Sequence, residues 1–164
     1  MKLRFARIED IDHLLELGRR IHAESRFAEM SYAREKLRGN LRGLLRLQAE
    51  RQTHCFILAE SLQGEVIGVL IGALEEFFFS DAKSANSILL WVDPAYRGSP
   101  VAVRLIGVFH DWARQRSAQE VCILVSSGVT IKRTDRFLRR LGFMQTGGNY
   151  RMPLLNDEPP PDRT

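Results

Sequence analysis

Cysteine is scarce in this chain of 164 residues: Cys55 and Cys122 lie far apart inside apolar runs, with no CxxC pair and no grouping of cysteine and histidine at metal-ligand spacing. That excludes a disulfide framework and a zinc site, and leaves two thiols of the kind that pack in a reducing compartment. Long apolar runs are missing too. None approaches the roughly 20 residues that a membrane helix requires, and Met1-Lys2-Leu3-Arg4 does not lead into the apolar stretch of a secretory leader. The expected location is the cytoplasm. Extreme charge is also absent: a net +4 and a pI near 9.4 name no partner, although they leave room for an acidic ligand. There is no internal repeat and no linker before residue 155. We therefore expect one domain over 1–154 and a disordered acidic, proline-rich tail over 155–164.

What is present is organised around Leu89-Leu90-Trp91-Val92-Asp93-Pro94-Ala95-Tyr96-Arg97-Gly98-Ser99-Pro100-Val101-Ala102. An apolar strand runs through a short polar turn into an amphipathic helix. Ser99 suits the N-cap and Pro100 the first helical position, where its missing N–H and fixed φ do no harm. Val101, Leu105, Val108 and Trp112 then repeat at helical spacing. A helix that starts directly after a strand aims free N–H groups and a positive dipole end at whatever lies over the turn, and phosphate fits that field.

The rest of the chain reads as alternating elements. Residues 2–6 predict a strand, and a helix begins at Asp10 with Ile11, Leu14, Leu15 and Ile21 on one face. Residues 26–31 break that pattern before a second helix carrying Leu37, Leu41, Leu44, Leu45 and Leu47. Residues 55–60 and 66–74 predict an antiparallel hairpin whose second strand is apolar on both faces. After a polar loop at 81–85 come the strand 86–92, a helix to about Arg116, and a strand at 121–125. Strand, crossover helix and strand make a right-handed parallel unit. A last helix with Ile131, Phe137, Leu138 and Leu141 ends at Gly142, and 143–146 with 149–153 predict a terminal hairpin.

This order, with Val92-Asp93-Pro94-Ala95-Tyr96-Arg97-Gly98 before the central helix and Arg140-Leu141-Gly142-Phe143 after the last, resembles the GCN5-related N-acetyltransferase (GNAT) family over residues 2 to about 153. The family turn, Arg/Gln-x-x-Gly-x-Gly/Ala, falls on Arg97, Gly98, Ser99, Pro100, Val101 and Ala102. Arg97 and Ala102 match it, and Pro100 stands where the family has its first glycine, removing one N–H donor. The resemblance implies an α/β (α+β) GNAT fold, a mixed central sheet of about seven strands flanked by about four helices. It implies acetyl-CoA as acyl donor, its pantetheine on the backbone of Leu90, Trp91 and Val92 and its pyrophosphate on residues 97–102. It also implies direct attack by an amine, with no metal.

The residues for chemistry are less marked. The family's general-acid tyrosine position holds Leu138, and the base glutamate of its histone-acetylating branch falls at Asn86. Glu75 and Glu76, at the end of the central strand, are the candidates for a base or for attracting a cationic acceptor, and Tyr150 for an acid. Phe77-Phe78-Phe79 lines a pocket or partner surface, or packs on the first two helices. The histidines at 13, 22, 54 and 110 have no ligand spacing and are given no role. The leading expectation is an N-acetyltransferase acting on a small-molecule or protein amine. The alternative is a catalytically weakened module that binds CoA or a protein partner in a regulatory role. Nucleic acid is disfavoured, since the basic helix with Lys132, Arg133 and Arg136 lacks interleaved aromatics; a membrane is not expected, and a homodimer is compatible.

Overall fold

The computed structural model of the chain describes residues 1–125, 131–150 and 152. It comprises two compact units, residues 1–129 and 130–164. In the first, β1 (Lys2–Phe5), α1 (Ile11–Glu24), α2 (Arg34–Arg46), β2 (His54–Glu60), β3 (Val66–Phe77), β4 (Ser80–Val92), α3 (Val101–Arg114) and β5 (Glu120–Cys122) follow in order. The second contributes α4 (Ile131–Arg140), which ends near Gly142 at φ +89°.

The sheet runs β1-β2-β3-β4-β5, antiparallel except for the parallel β4–β5 pair. It is a mixed α+β fold as expected, but with five strands among the described residues rather than about seven. The expected terminal hairpin is not among those five. Residues 143–150 form no strand, and Met144 and Tyr150 are left exposed. Residues 151 and 153 of that expected hairpin and the whole of 154–164 lie outside the described residues.

Each face of the sheet is covered for a reason visible in the side chains. On one face Val69, Ile71, Phe56, Leu58 and Trp91 pack with Ile11, Leu14, Leu15 and Leu17 of α1 and with Leu41 and Leu45 of α2. Gln48, just after α2, supports this edge: its Oε1 accepts from Phe56 N–H at 2.7 Å and its Nε2 donates to Ala6 O at 3.0 Å. On the other face α3 lies directly against β3, because β3 carries glycine beneath it. A Cβ at Gly68 would stand 2.6 Å from Val101 Cγ1, and one at Gly72 2.7 Å from Phe109 Cζ. The buried stripe of α3 is Val101, Leu105, Ile106, Phe109, Trp112 and Ala113, so Phe109 takes the place expected for Val108.

The β3–β4 hairpin is longer than expected. Residues 81–85 are strand, not loop, because Ser84 and Ala85 pair with β3 on one side and β5 on the other. Only Phe78 and Phe79 remain in the turn, each 94% exposed with their rings edge to face. Neither packs on the first two helices.

Candidate functional site

Among the described residues β4 has an open edge, and its origin can be followed residue by residue. The ladder to β5 stops at Asn86↔Cys122, while β4 continues to Val92. Leu124 N–H donates to Ser87 Oγ at 2.9 Å instead of extending the ladder, so β5 ends three residues earlier than 125. At the same level Ser87 pairs with Gly72 and Leu89 with Ile71, which leaves Ile88 as an extra, exposed residue. This is a β-bulge, which bends its strand. Beyond it the direction of each peptide follows from one bond, Asp93 N–H to Ile67 O at 3.0 Å. Peptides alternate along a strand, so Trp91 also turns its backbone to β3, whereas Leu90 and Val92 turn theirs to the side β5 has left. Val92 O agrees, since it accepts from Arg97 Nε at 3.1 Å on that side.

The turn after β4 is braced from within. Asp93 Oδ1 accepts from Ala95 N–H at 3.0 Å, capping a 3-10 turn over Pro94–Tyr96. Gly98 sits at φ +97°, a left-handed conformation that a residue with a Cβ adopts only with strain. Ser99 donates its hydroxyl to Tyr96 O at 2.6 Å and its N–H to the same carbonyl at 3.1 Å. The N-cap is Pro100, one residue later than Ser99, and Ser99 Oγ takes only a 3.4 Å bond from Val101 N–H. The first helical bond is Arg104 N–H to Pro100 O, 3.0 Å. The N–H groups of Ala102 and Val103 therefore precede the helical ladder and face outward from its start.

Two ion pairs tie this turn to the end of α1. Arg97 Nη2 lies 2.5 Å from Glu24 Oε2, and Arg20 Nη2 lies 2.6 Å from Asp93 Oδ2. Burial alone would raise the Asp93 carboxyl; the Arg20 guanidinium and Ala95 N–H outweigh it and hold the group below its ordinary value. The Arg20 guanidinium also sits 5.7 Å from the Trp91 ring centroid. The Trp91 side chain is buried in the core, and its Nε1 has no partner among the described residues.

A polar shelf lies on the face shared with α1 and α2, where the apolar core gives out. Register places two cross-strand rows side by side: His54, Ala73, Asn86 and Cys122, then Glu75, Ser84 and Glu120. Directly paired residues share a face, and the hydrogen bonds agree. Asn86 Nδ2 donates to Glu75 Oε2 at 2.7 Å. Ser84 Oγ reaches Asn86 Oδ1 at 3.2 Å and Glu120 Oε1 at 3.3 Å, and lies 3.8 Å from Cys122 Sγ. Burial pushes the Cys122 thiol up, against the Ser84 hydroxyl bond. Burial pushes His54 below its ordinary value, with Glu75 opposing. Its Nδ1 is 3.1 Å from Thr53 Oγ1.

Of the residues singled out from sequence, Leu90, Val92, Arg97, Gly98, Ser99, Pro100, Val101 and Ala102 converge around the open edge and turn, with Trp91 alongside but aimed at the core. Glu75 joins the shelf. Glu76 alternates to the opposite face, and Tyr150 belongs to the second unit, fully exposed. His54, Ser84, Glu120 and Cys122 escaped sequence reasoning because only strand register assembles them. Among the described residues no cluster of His, Cys, Asp and Glu is arranged to hold a metal.

Comparison with known proteins bears on this geometry. The profile of the Acetyltransferase (GNAT) family matches residues 12–143. Among curated proteins none matches. Many solved structures share the fold, three acetyltransferases among them. The aminoglycoside antibiotic 6'-N-acetyltransferase of Acinetobacter haemolyticus is 22% identical, with 96% of this chain and 100% of that chain covered and a TM-score of 0.69. Glucosamine-6-phosphate N-acetyltransferase of Arabidopsis thaliana is 15% identical over 93% and 97%, TM-score 0.71. A predicted acetyltransferase with acetyl-CoA from Clostridium acetobutylicum is 16% identical over 94% and 96%, TM-score 0.71.

Proposed function

Because the chain belongs to the acetyltransferase (GNAT) family, we propose that it transfers an acetyl group from acetyl-CoA to an amine. The observation that carries this is the open edge of β4 running into the start of α3. An extended amide chain can add to Leu90 and Val92 as a strand would, and a pyrophosphate can follow onto the outward N–H groups at the helix start. The donors there are Gly98, Ala102, Val103 and, in part, Val101, since Ser99 N–H is engaged and Pro100 has none. Arg97 braces the turn through Val92 O and Glu24. Bound in this way, acetyl-CoA supplies a thioester carbonyl near the bulge, where a β4 N–H can stabilise the developing oxyanion. Glu75, on the shelf beside that point, receives the acceptor's ammonium group. Glu76 and Tyr150 take no step in this reading.

The reading is tested by thermal shift with acetyl-CoA, then by thiol release. Ligand at 100 times its dissociation constant stabilises by about 2.7 kcal/mol, and no shift at millimolar coenzyme overturns the proposal. Exposed Phe78 and Phe79 favour one second reading, a regulatory module that binds CoA and a protein partner. Binding of coenzyme without thiol release across small amines, polyamines and peptides is the result that selects it.

A further inference from the structure

We infer that His54 is the proton acceptor for the incoming amine, and that Glu75 holds the imidazolium that forms. The inference rests on the acetyl-transfer reading and adds the group that makes it work near neutral pH. An amine arrives protonated and cannot attack until one proton leaves. A carboxylate with an ordinary pKa near 4 is a weak acceptor for that proton, and an imidazole near 6.5 is better matched.

Geometry puts the imidazole in place. His54 opens β2, directly across from Ala73, which in turn pairs with Asn86. Strands are about 4.8 Å apart, so His54 and Asn86 stand roughly 10 Å apart at the backbone, with only the Ala73 methyl between them. Both side chains stand on the sheet face that also carries Glu75. Glu75 lies one step along β3 on the same face and is fixed by Asn86 Nδ2 at 2.7 Å. Asn86 and Cys122 are the last paired residues before β4 and β5 part, so the shelf adjoins the open edge. Thr53 Oγ1 occupies Nδ1. In the serving tautomer Nδ1–H donates to Thr53, and the Nε2 lone pair faces the amine.

The charged surroundings suit the role. Half-burial favours the neutral ring, and Glu75 is the charged group that acts on it, in favour of the imidazolium. Glu50 and Arg51, on the turn that leads into β2, are exposed. The step balances. His54 Nε2 takes one proton from the ammonium and later releases it to solvent. The amine nitrogen bonds to the thioester carbon, the C–S bond breaks, and the leaving thiolate receives the nitrogen's second proton through water.

The test is the pH dependence of thiol release from acetyl-CoA with ethanolamine, lysine amide and spermidine as acceptors, run beside coenzyme thermal shifts. In wild type, kcat/KM falls on the acid side with a midpoint below 6.5. His54→Gln lowers kcat by about 100-fold and removes that limb, leaving the coenzyme shift intact. Glu75→Gln moves the limb to lower pH, and histidine NMR titration reads the same movement without turnover. A His54→Gln enzyme that keeps wild-type rate and limb, or an imidazole titration unmoved by Glu75→Gln, overturns the inference alone. Loss of the coenzyme shift in wild type, or no thiol release with any of these amines, overturns the acetyl-transfer reading with it.

Discussion

Replacing Gly72 by alanine tests how α3, and with it the anion-facing turn, is held on the sheet. The added Cβ would stand 2.7 Å from Phe109 Cζ and 3.0 Å from Cδ2. Carbon atoms in contact prefer about 3.5–4.0 Å, so the ring must retreat by about 1 Å. It has nowhere easy to go. Phe109 is fully buried and stacked on Trp112 with centroids 5.7 Å apart. Overpacking of this kind costs about 1–3 kcal/mol, and the entropic advantage of alanine over glycine returns about 0.5–1 kcal/mol. A net loss of about 1–2 kcal/mol follows, and at about 2–4 °C per kcal/mol for this chain length the Tm falls by about 2–8 °C. Gly39→Ala is the control, since nothing lies within 4 Å of its Cβ inside α2; it is expected to stabilise by up to about 1 kcal/mol. Urea denaturation of Gly72→Ala, Phe109→Leu and the double variant isolates the contact. The reasoning requires the double variant to recover at least about 0.5 kcal/mol over the sum of the singles. A Gly72→Ala protein as stable as wild type, or strictly additive losses, refutes it.

Other consequences follow from the same contacts. Arg97→Ala removes the brace on Val92 O and Glu24, and since both partners are about a third exposed the loss is about 1 kcal/mol, roughly a fivefold weaker affinity for acetyl-CoA by calorimetry; an unchanged affinity contradicts the placement of the turn. Burial pushes the Cys55 thiol up to about 12, so native protein should react with a disulfide reagent at Cys122 first, slower than free cysteine, and at Cys55 only on unfolding; equal rates contradict this. The Arg4 guanidinium, 2.7 Å away, holds the Asp10 carboxyl below its ordinary value despite partial burial. A depressed carboxyl stabilises above its unfolded pKa and loses that contribution as pH falls. The stability gap between wild type and Asp10→Asn should therefore close below about pH 4, and a gap constant down to pH 3 speaks against the pair.

The parts of the fold that were legible from sequence depend on near neighbours. Asp93-Pro94, Gly98 and the period of Val101, Leu105 and Trp112 announce the turn and α3 because each signal acts within one turn of chain. The shelf is different. Nothing in the spacing of His54, Glu75, Asn86 and Glu120 relates them until β2, β3, β4 and β5 are set in register. Polarity misled at residues 81–85, where Ser84 is buried by its neighbours on both sides. Alternation misled at 143–150, where residues with strand character find no ladder partner among the described residues.

The bulge at Ile88 shifts the phase of β4. Before it, Ser84 and Asn86 face α1 and α2; after it, Leu89 and Trp91 do. Even-numbered residues and odd-numbered residues thus share one surface, polar upstream and apolar downstream. The bulge is what reconciles the two parities: without Ile88, Ser87 and Leu89 would be neighbours opposite Gly72 and Ile71, Asn86 would keep the shelf and Trp91 the core, and what β4 would lose is the bend between them.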